Sequence, residues 1–131
     1  RGVLLHSYGG PAERVPGLAR QGAYFGFSGW FLHPRKRRQL EVFRRVPPDR
    51  LLVETDAPDQ PLPVEWRRPL PSGEPGAAYN HPAQLSGVYA GLAAALGETP
   101  DALARRLEDN FGRWTGAAGS PAPASTPGFP S

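Results

Sequence analysis

Three short apolar runs, each followed by polar residues and then by a helix-like or loop segment, constrain the fold of this 131-residue chain more than any other feature. The runs are residues 2–5, 23–27 and 51–53. Each is too short for a helix and is apolar throughout, which is typical of strands covered on both faces. Strands that alternate with helices pair in parallel through right-handed crossovers. The pattern therefore predicts an α/β fold with a parallel sheet.

Helices are predicted over residues 11–21, where Pro16 and Gly17 interrupt the pattern, over 34 to about 45, and over 82–96, where apolar residues recur at helical spacing. Asn80 is well placed to cap the third of these helices. A fourth helix has a strong start signal, because a capping Thr99 precedes Pro100 and Asp101. Its inward face is predicted from apolar residues at helical spacing: Leu103, Leu107, Phe111 and Trp114.

Glycine and proline indicate how much of the chain lies outside these elements. The chain has 16 glycines and 17 prolines, which is far above ordinary usage. Residues 57–82 are rich in proline and are predicted to form a long loop of the kind that is functional or disordered. Residues 117–131 offer only Phe129 to a core and are predicted to be a disordered tail. The folded domain is therefore expected over residues 1–116.

Missing residue types exclude several classes of protein. The chain has no cysteine, which excludes disulfide scaffolds, thiolate metal sites and cysteine nucleophiles. No apolar run approaches the ~20 residues of a membrane span, so no membrane partner is expected. The chain has no methionine and begins at Arg1, and it is interpreted as a fragment or a processed product.

Polar side chains stand where the predicted strands end: His6 after the first, Ser28 after the second, and Glu54 and Asp56 after the third. The carboxyl ends of parallel strands meet at one edge of a sheet, so these side chains are expected to lie close together. An imidazole nitrogen and a carboxylate oxygen suit a divalent metal. A simpler interpretation stays open, in which His6 caps or packs and Asp56 serves the turn before Pro58.

The positive charge of the chain is concentrated at the start of the second predicted helix. Arg35, Lys36, Arg37 and Arg38 are consecutive there, in a chain whose formal net charge is +3. Such a cluster suits a polyanion such as a nucleic acid. The alternative is a solvated helix face with no partner.

Several short motifs occur together in an order and spacing that one family shares. They are HSYGG at residues 6–10, FSG at 27–29, RLLVETDAP at 50–58, NHP at 80–82, and Asn110-Phe111. Together they resemble the TatD-type metal-dependent deoxyribonucleases over about residues 3–115. The nonapeptide at 50–58 is the most distinctive of them.

The resemblance implies a TIM barrel of the amidohydrolase-like type, of which this chain would form the last three strand–helix units. It implies cleavage of phosphodiester bonds in DNA with one or two divalent metal ions, Mg²⁺, Mn²⁺ or Zn²⁺. In that family the counterpart of His6 binds one metal, and the counterpart of Asp56 binds the other and helps to activate water. Glu54 would lie behind these ligands. A cytoplasmic or nuclear location is expected.

The sequence departs from the family in lacking its His-x-His pair, its bridging Glu and a further metal-binding His, which family members carry upstream of the matching region. Two interpretations follow: part of an active nuclease, or an inactive truncated product that at most binds nucleic acid through residues 35–45. A third, a small basic α/β binding module, is disfavoured by the motif at residues 54–58.

Overall fold

The chain folds around a three-stranded parallel sheet with the strand order β1-β2-β3. The structure is a computed structural model, and it describes residues 2–70 and 80–117. The strands and α-helices, in chain order, are β1 (Leu4–Leu5), α1 (Val15–Arg20), β2 (Tyr24–Ser28), α2 (Arg37–Phe43), β3 (Leu51–Glu54), α3 (Leu85–Leu96) and α4 (Pro100–Thr115). Short 3-10 turns lie at Ala12–Arg14, Gly29–Leu32, Pro34–Lys36, Pro48–Arg50, Val64–Trp66 and Pro82–Gln84.

The register of the sheet brings the carboxyl ends of the strands to one edge. Leu5 pairs with Phe25, and Phe25 pairs in turn with Leu51. The last pair of the sheet joins Ser28 to Glu54. The predicted parallel α/β architecture is therefore confirmed, although β1 is shorter than the apolar run that contains it. Every residue of β2, the central strand, is buried, whereas both residues of β1 are half-buried.

Aromatic side chains of β2 and α2 form the centre of the core. Phe25 and Phe27 are fully buried, and Phe43 is nearly so. The rings of Phe27 and Phe43 meet edge to face with their centroids 5.0 Å apart, an arrangement that aromatic pairs prefer. Pro47 and Pro48 follow α2, where the chain turns back into β3. The packing fixes α2 against the central strand.

Helix α4 holds the amino-terminal ends of two strands. The buried side chain of Asn110 donates from Nδ2 to the carbonyl oxygens of Pro48 and Leu51, at 2.8 Å each. Further along the same helix, Nε1 of Trp114 donates to the carbonyl oxygen of Gly2 at 3.1 Å. The start of α4 agrees with its sequence signal, because Oγ1 of Thr99 accepts a hydrogen bond from the amide of Ala102.

The prediction that Phe111 faces inward is wrong, since 54% of this residue is exposed. The buried position on this turn of α4 belongs to its neighbour Asn110, whose amide satisfies backbone carbonyls at the start of β3. Phe111 instead helps to line an apolar groove of about 490 Å³, together with residues of β3, α3 and α4: Leu52, Val53, Leu85, Tyr89, Ala104, Leu107 and Glu108.

The cap predicted for the third helical segment is also different. His81, and not Asn80, caps the turn Pro82–Gln84, because Nδ1 of His81 accepts a hydrogen bond from the amide of Ala83. The side chain of Asn80 is turned toward the loop after β3.

Two sequence predictions fall wholly or partly beyond the described residues. Residues 71–79 of the proline-rich loop and residues 118–131 of the predicted tail lie outside them. Among the described helices, none is long and apolar enough to cross a bilayer.

Candidate functional site

The predicted site residues gather at the carboxyl edge of the sheet. His6 directly follows β1, Ser28 ends β2, Glu54 ends β3, and Asp56 comes shortly after β3. Of these, His6, Glu54 and Asp56 come together, as their positions at parallel strand ends predict. Ser28 does not join them: it is fully buried and its Oγ accepts a hydrogen bond from the amide of Trp30.

Glu54 is the centre of the hydrogen-bond network. Its Oε2 lies 2.8 Å from Nδ1 of His6. Its Oε1 accepts hydrogen bonds from the backbone amide of Ser7 at 2.6 Å and from Oγ of Ser7 at 2.7 Å. Ser7 reaches this carboxylate with both groups at a φ of 44°, in the left-handed region. One carboxylate on β3 thereby fixes two consecutive residues that follow β1.

The central strand leaves space for this carboxylate. A Cβ atom built on Gly26 of β2 would lie 2.6 Å from Oε2 of Glu54, a distance at which one of the two groups has to move. Glycine within a strand often marks such a close approach. The position of Gly26 inside an apolar run is a sequence signal for this contact, which the pattern of polar residues at the strand ends does not predict.

The imidazole of His6 also faces the second acid. Its Nε2 lies 3.1 Å from Oδ1 of Asp56. The hydrogen bond to Glu54 is the main cause that raises the pKa of His6 above its usual 6.5, and the charges of Glu54 and Asp56 add to it, while partial burial opposes it. The side chain of His6 is 59% exposed, whereas those of Glu54 and Asp56 are 15% and 25% exposed. The acids thus form the base of the site, and the imidazole reaches outward from them.

Asp56 is held by the loop that begins with it. Its φ is 57°, and the bond between Ala57 and Pro58 is cis. The buried Asn80 donates from Nδ2 to the carbonyl oxygens of Thr55, Asp59 and Gln60. The backbone amide of Asn80 donates to the carbonyl oxygen of Pro58 at 2.9 Å. One amide side chain therefore satisfies several carbonyls of this loop and fixes the backbone around Asp56.

The donor atoms suit a metal, but their number is small. Because Glu54 occupies Nδ1 of His6, Nε2 is the nitrogen left to bind a metal, and it already faces a carboxylate oxygen of Asp56. A nitrogen and a carboxylate oxygen are ordinary ligands of Zn²⁺ and related divalent ions. Over residues 2–70 and 80–117, no group of three or more His, Cys, Asp or Glu residues could hold a metal ion. Two such ligands are fewer than the three that catalytic zinc sites keep.

The predicted nucleic-acid contacts lie near this edge but not within the cluster. The turn Pro34–Lys36 and the start of α2 carry Arg35, Lys36, Arg37 and Arg38. The three arginines are exposed, and Lys36 is half-buried. None of the four lies within 4.0 Å of a carboxylate in the described part of the chain.

Comparison with known proteins gives a consistent result. A family model described as TatD related DNase matches residues 1–116. A protein named 3'-5' ssDNA/RNA exonuclease TatD, from Citrobacter koseri, is 34% identical over 110 residues, which cover 83% of this chain and 40% of that protein. A protein of the same name from Enterobacter lignolyticus is 31% identical over 118 residues, which cover 89% of this chain and 43% of that protein. The chain spans about two fifths of the length of these curated relatives.

Solved structures share the fold. A TatD homologue from Escherichia coli K12 matches with a TM-score of 0.64 and 24% identity, over 83% of this chain and 38% of that one. A hydrolase of the TatD family from Entamoeba histolytica matches with a TM-score of 0.66 and 14% identity, over 84% of this chain and 40% of that one. The α/β arrangement of parallel strands is therefore that of TatD-like hydrolases over the aligned part.

Proposed function

Because this chain belongs to the TatD-related DNase family, we propose that it is part of a metal-dependent hydrolase that cleaves phosphodiester bonds of DNA. The observation that carries the proposal is the approach of His6 Nε2 to Asp56 Oδ1, 3.1 Å apart at the carboxyl edge of the sheet. Sites of parallel α/β proteins collect at this edge. The names of the relatives include RNA as well as DNA, so both substrates belong in the test.

His6 and Asp56 would hold the divalent metal, which is Mg²⁺, Mn²⁺ or Zn²⁺. A divalent metal bound there supplies a Lewis acid that lowers the pKa of water and offsets charge on the phosphate. Glu54 keeps a proton on Nδ1 of His6 and so leaves Nε2 free as the metal-binding atom, the role that outer carboxylates play for metal-binding histidines. The carboxylate of Asp56 accepts the proton that the attacking water loses.

The remaining ligands would come from further strands. A TIM barrel has eight parallel strands and about 250 residues, whereas the described part of this chain has three strands. We propose that these strands are the carboxyl-terminal strand–helix units of such a barrel, and that residues 1–116 form this partial barrel domain. The cell compartment that this proposal implies is the cytoplasm or the nucleus.

The test compares two proteins in the cleavage of labelled single-stranded DNA and RNA with added Mg²⁺, Mn²⁺ or Zn²⁺. One is the 131-residue chain, and the other is a longer protein that contains it within a complete barrel. We expect essentially no cleavage by the chain alone, because two ligands hold a metal weakly. In the longer protein, Asp56→Asn should lower turnover by about 10²- to 10⁴-fold, because the substitution removes both a negatively charged metal ligand and the group that accepts the proton of water. His6→Ala should lower it less.

Asp59→Asn is the matched control. Asp59 is an exposed acid on the same loop, and its replacement makes the same change in charge without touching the His6–Asp56 pair. Unchanged turnover of the Asp56→Asn protein would refute the site, and robust cleavage by the 131-residue chain alone would refute the inference that further ligands are needed.

A second function is favoured by the small number of donor atoms. A chain with two metal ligands and a row of cations that have no carboxylate partner among the described residues can bind nucleic acid without cleaving it. Stoichiometric binding by the 131-residue chain, with no cleavage even when the barrel is complete, would support this second function over the first.

A further inference from the structure

The turn that follows β2 carries an aromatic and a cationic side chain stacked on one another. The guanidinium carbon of Arg35 lies 4.6 Å from the centre of the Trp30 ring. The ring of His33 lies against the same indole, with centroids 4.7 Å apart and a tilt of 58°. Trp30 is half-buried and Arg35 is exposed. The guanidinium group therefore covers part of the indole and faces solvent.

This stack is fixed relative to the candidate metal site. Oγ of Ser28, the last residue of β2, accepts a hydrogen bond from the amide of Trp30 at 3.2 Å. On the other side, Nε2 of His33 donates to the carbonyl oxygen of Pro61 at 2.8 Å. Pro61 belongs to the loop that begins at Asp56. The stack is thus attached both to the central strand and to the loop that carries a candidate metal ligand.

Further positive charge lies beside Arg35, the cation of the stack. A shallow cleft of about 450 Å³ is lined mainly by cations: Pro34, Arg35, Arg37, Arg38 and Glu41. The single acid of this cleft, Glu41, is paired with Arg44. Arg37 and Arg38 are exposed, and within the described residues neither has a carboxylate within 4.0 Å. The cleft therefore keeps a positive charge that a polyanion can neutralise.

We propose that Trp30, Arg35, Arg37 and Arg38 form a contact surface for one unpaired strand of nucleic acid beside the metal site. Arg37 and Arg38 contact phosphates, and an exposed base stacks on the planar Trp30–Arg35 pair. Cations alone would suit any polyanion, but stacking on aromatic rings and guanidinium planes requires bases that are free of a duplex. The inference rests on the proposed function, because the bound strand is the substrate whose bond would be cleaved.

The experiment measures binding without cleavage. Fluorescence anisotropy of a labelled single-stranded oligodeoxynucleotide is followed in EDTA at several salt concentrations, with a duplex of the same length in parallel. Arg37→Gln removes a charge, and Arg35→Lys keeps the charge but removes the guanidinium plane. Arg105→Gln is the matched control, because this exposed arginine lines a different cleft together with Pro48 and Asp49, which precede β3.

The variants should differ in how they change the affinity and its dependence on salt. Arg37→Gln should weaken binding about three- to tenfold at low salt and should reduce the slope of log affinity against log salt by about 0.7. Arg35→Lys should weaken single-strand binding about three- to tenfold with the slope unchanged, and Trp30→Leu should weaken it about 5- to 100-fold. Arg105→Gln should change neither quantity.

Several results would overturn the proposal. One is an equal loss of single-strand affinity in Arg37→Gln and Arg105→Gln. Another is an affinity for the duplex equal to that for the single strand. A third is an Arg35→Lys variant that binds the single strand as tightly as the unsubstituted protein does. Arg35 is exposed, so this last variant remains informative if Trp30→Leu fails to fold. Because EDTA removes metals, these outcomes test the surface, whereas absent cleavage by the complete, metal-loaded protein tests the proposed function.

Discussion

Nε2 of His6 lies 3.1 Å from Oδ1 of Asp56, although the two residues follow the outer strands of the sheet, β1 and β3. Strands on either side of a central one are about 10 Å apart, so side chains from both must reach over β2 to meet. Gly26 of β2 presents no side chain where the carboxylate of Glu54 crosses. The convergence of these side chains therefore depends on the presence of glycine at position 26 of the central strand.

The first prediction concerns the protonation of His6. Glu54→Gln should lower the pKa of His6 toward 6.5, because the hydrogen bond to this carboxylate is the main cause that raises it. A raised pKa means that the contribution of His6 to stability is present below pH ~6.5 and is lost as the pH rises through the raised value. NMR titration of the ring protons in EDTA measures the shift. An unchanged His6 pKa in Glu54→Gln would contradict the hydrogen bond between His6 and Glu54 as the cause of the raised pKa.

The second prediction concerns Gly26. Gly26→Ala should displace the Glu54 carboxylate and lower the pKa of His6 in the same direction as Glu54→Gln, because the new Cβ would lie 2.6 Å from Oε2. Overpacking of this kind costs about 1–3 kcal/mol of stability. Gly9→Ala is the control, since its Cβ would meet nothing closer than 3.9 Å. The same NMR titration, together with urea unfolding, checks both variants. The same His6 pKa and the same stability in Gly26→Ala and Gly9→Ala would show that the site does not depend on Gly26.

The third prediction separates a hydrogen bond from backbone conformation at Ser7. Both Ser7→Ala and Ser7→Gly lose the hydrogen bond from Oγ to Glu54, at a cost of about 1 kcal/mol. Only Gly accepts the φ of 44° without strain, so Ser7→Gly should be more stable than Ser7→Ala by about 0.5–1 kcal/mol. Urea unfolding of the two variants measures the difference. A more stable Ser7→Ala protein would show that φ does not limit this position.

The fourth prediction concerns the loop that holds Asp56. Asn80→Asp should destabilise the protein more than Asn80→Ala, because it places a buried acid against carbonyl oxygens that now accept from Nδ2. Leaving buried carbonyls unsatisfied costs about 1–3 kcal/mol, and a buried charge adds to this. Chemical unfolding and limited proteolysis between residues 56 and 61 provide the measurement. Equal loss in both variants would show that the donor amide alone matters.

The sequence was sufficient to predict the elements and the meeting of the main site residues. Each apolar run ends at a polar residue, and in parallel strands these ends meet, so the pattern alone places His6, Glu54 and Asp56 together. The role of Asn80 could not be predicted. Local patterns favour a helix cap at that position, whereas its partners are backbone carbonyls about 20 residues earlier in the chain. The exposure of Phe111 was missed for the same reason, because Asn110 takes the inward position to bond distant carbonyls.

The contacts of α4 bear on the order in which the chain can fold. Trp114 bonds Gly2 across a separation of 112 positions, and Asn110 bonds Leu51 across 59. Contacts so distant in sequence form slowly, since a long loop must close first. The site edge should therefore acquire fixed geometry only after α4 has been synthesised. Pulsed hydrogen exchange during refolding should show that the backbone amides of α4 and β3 become protected at the same time. Protection of the β3 amides much earlier than those of α4 would contradict this order.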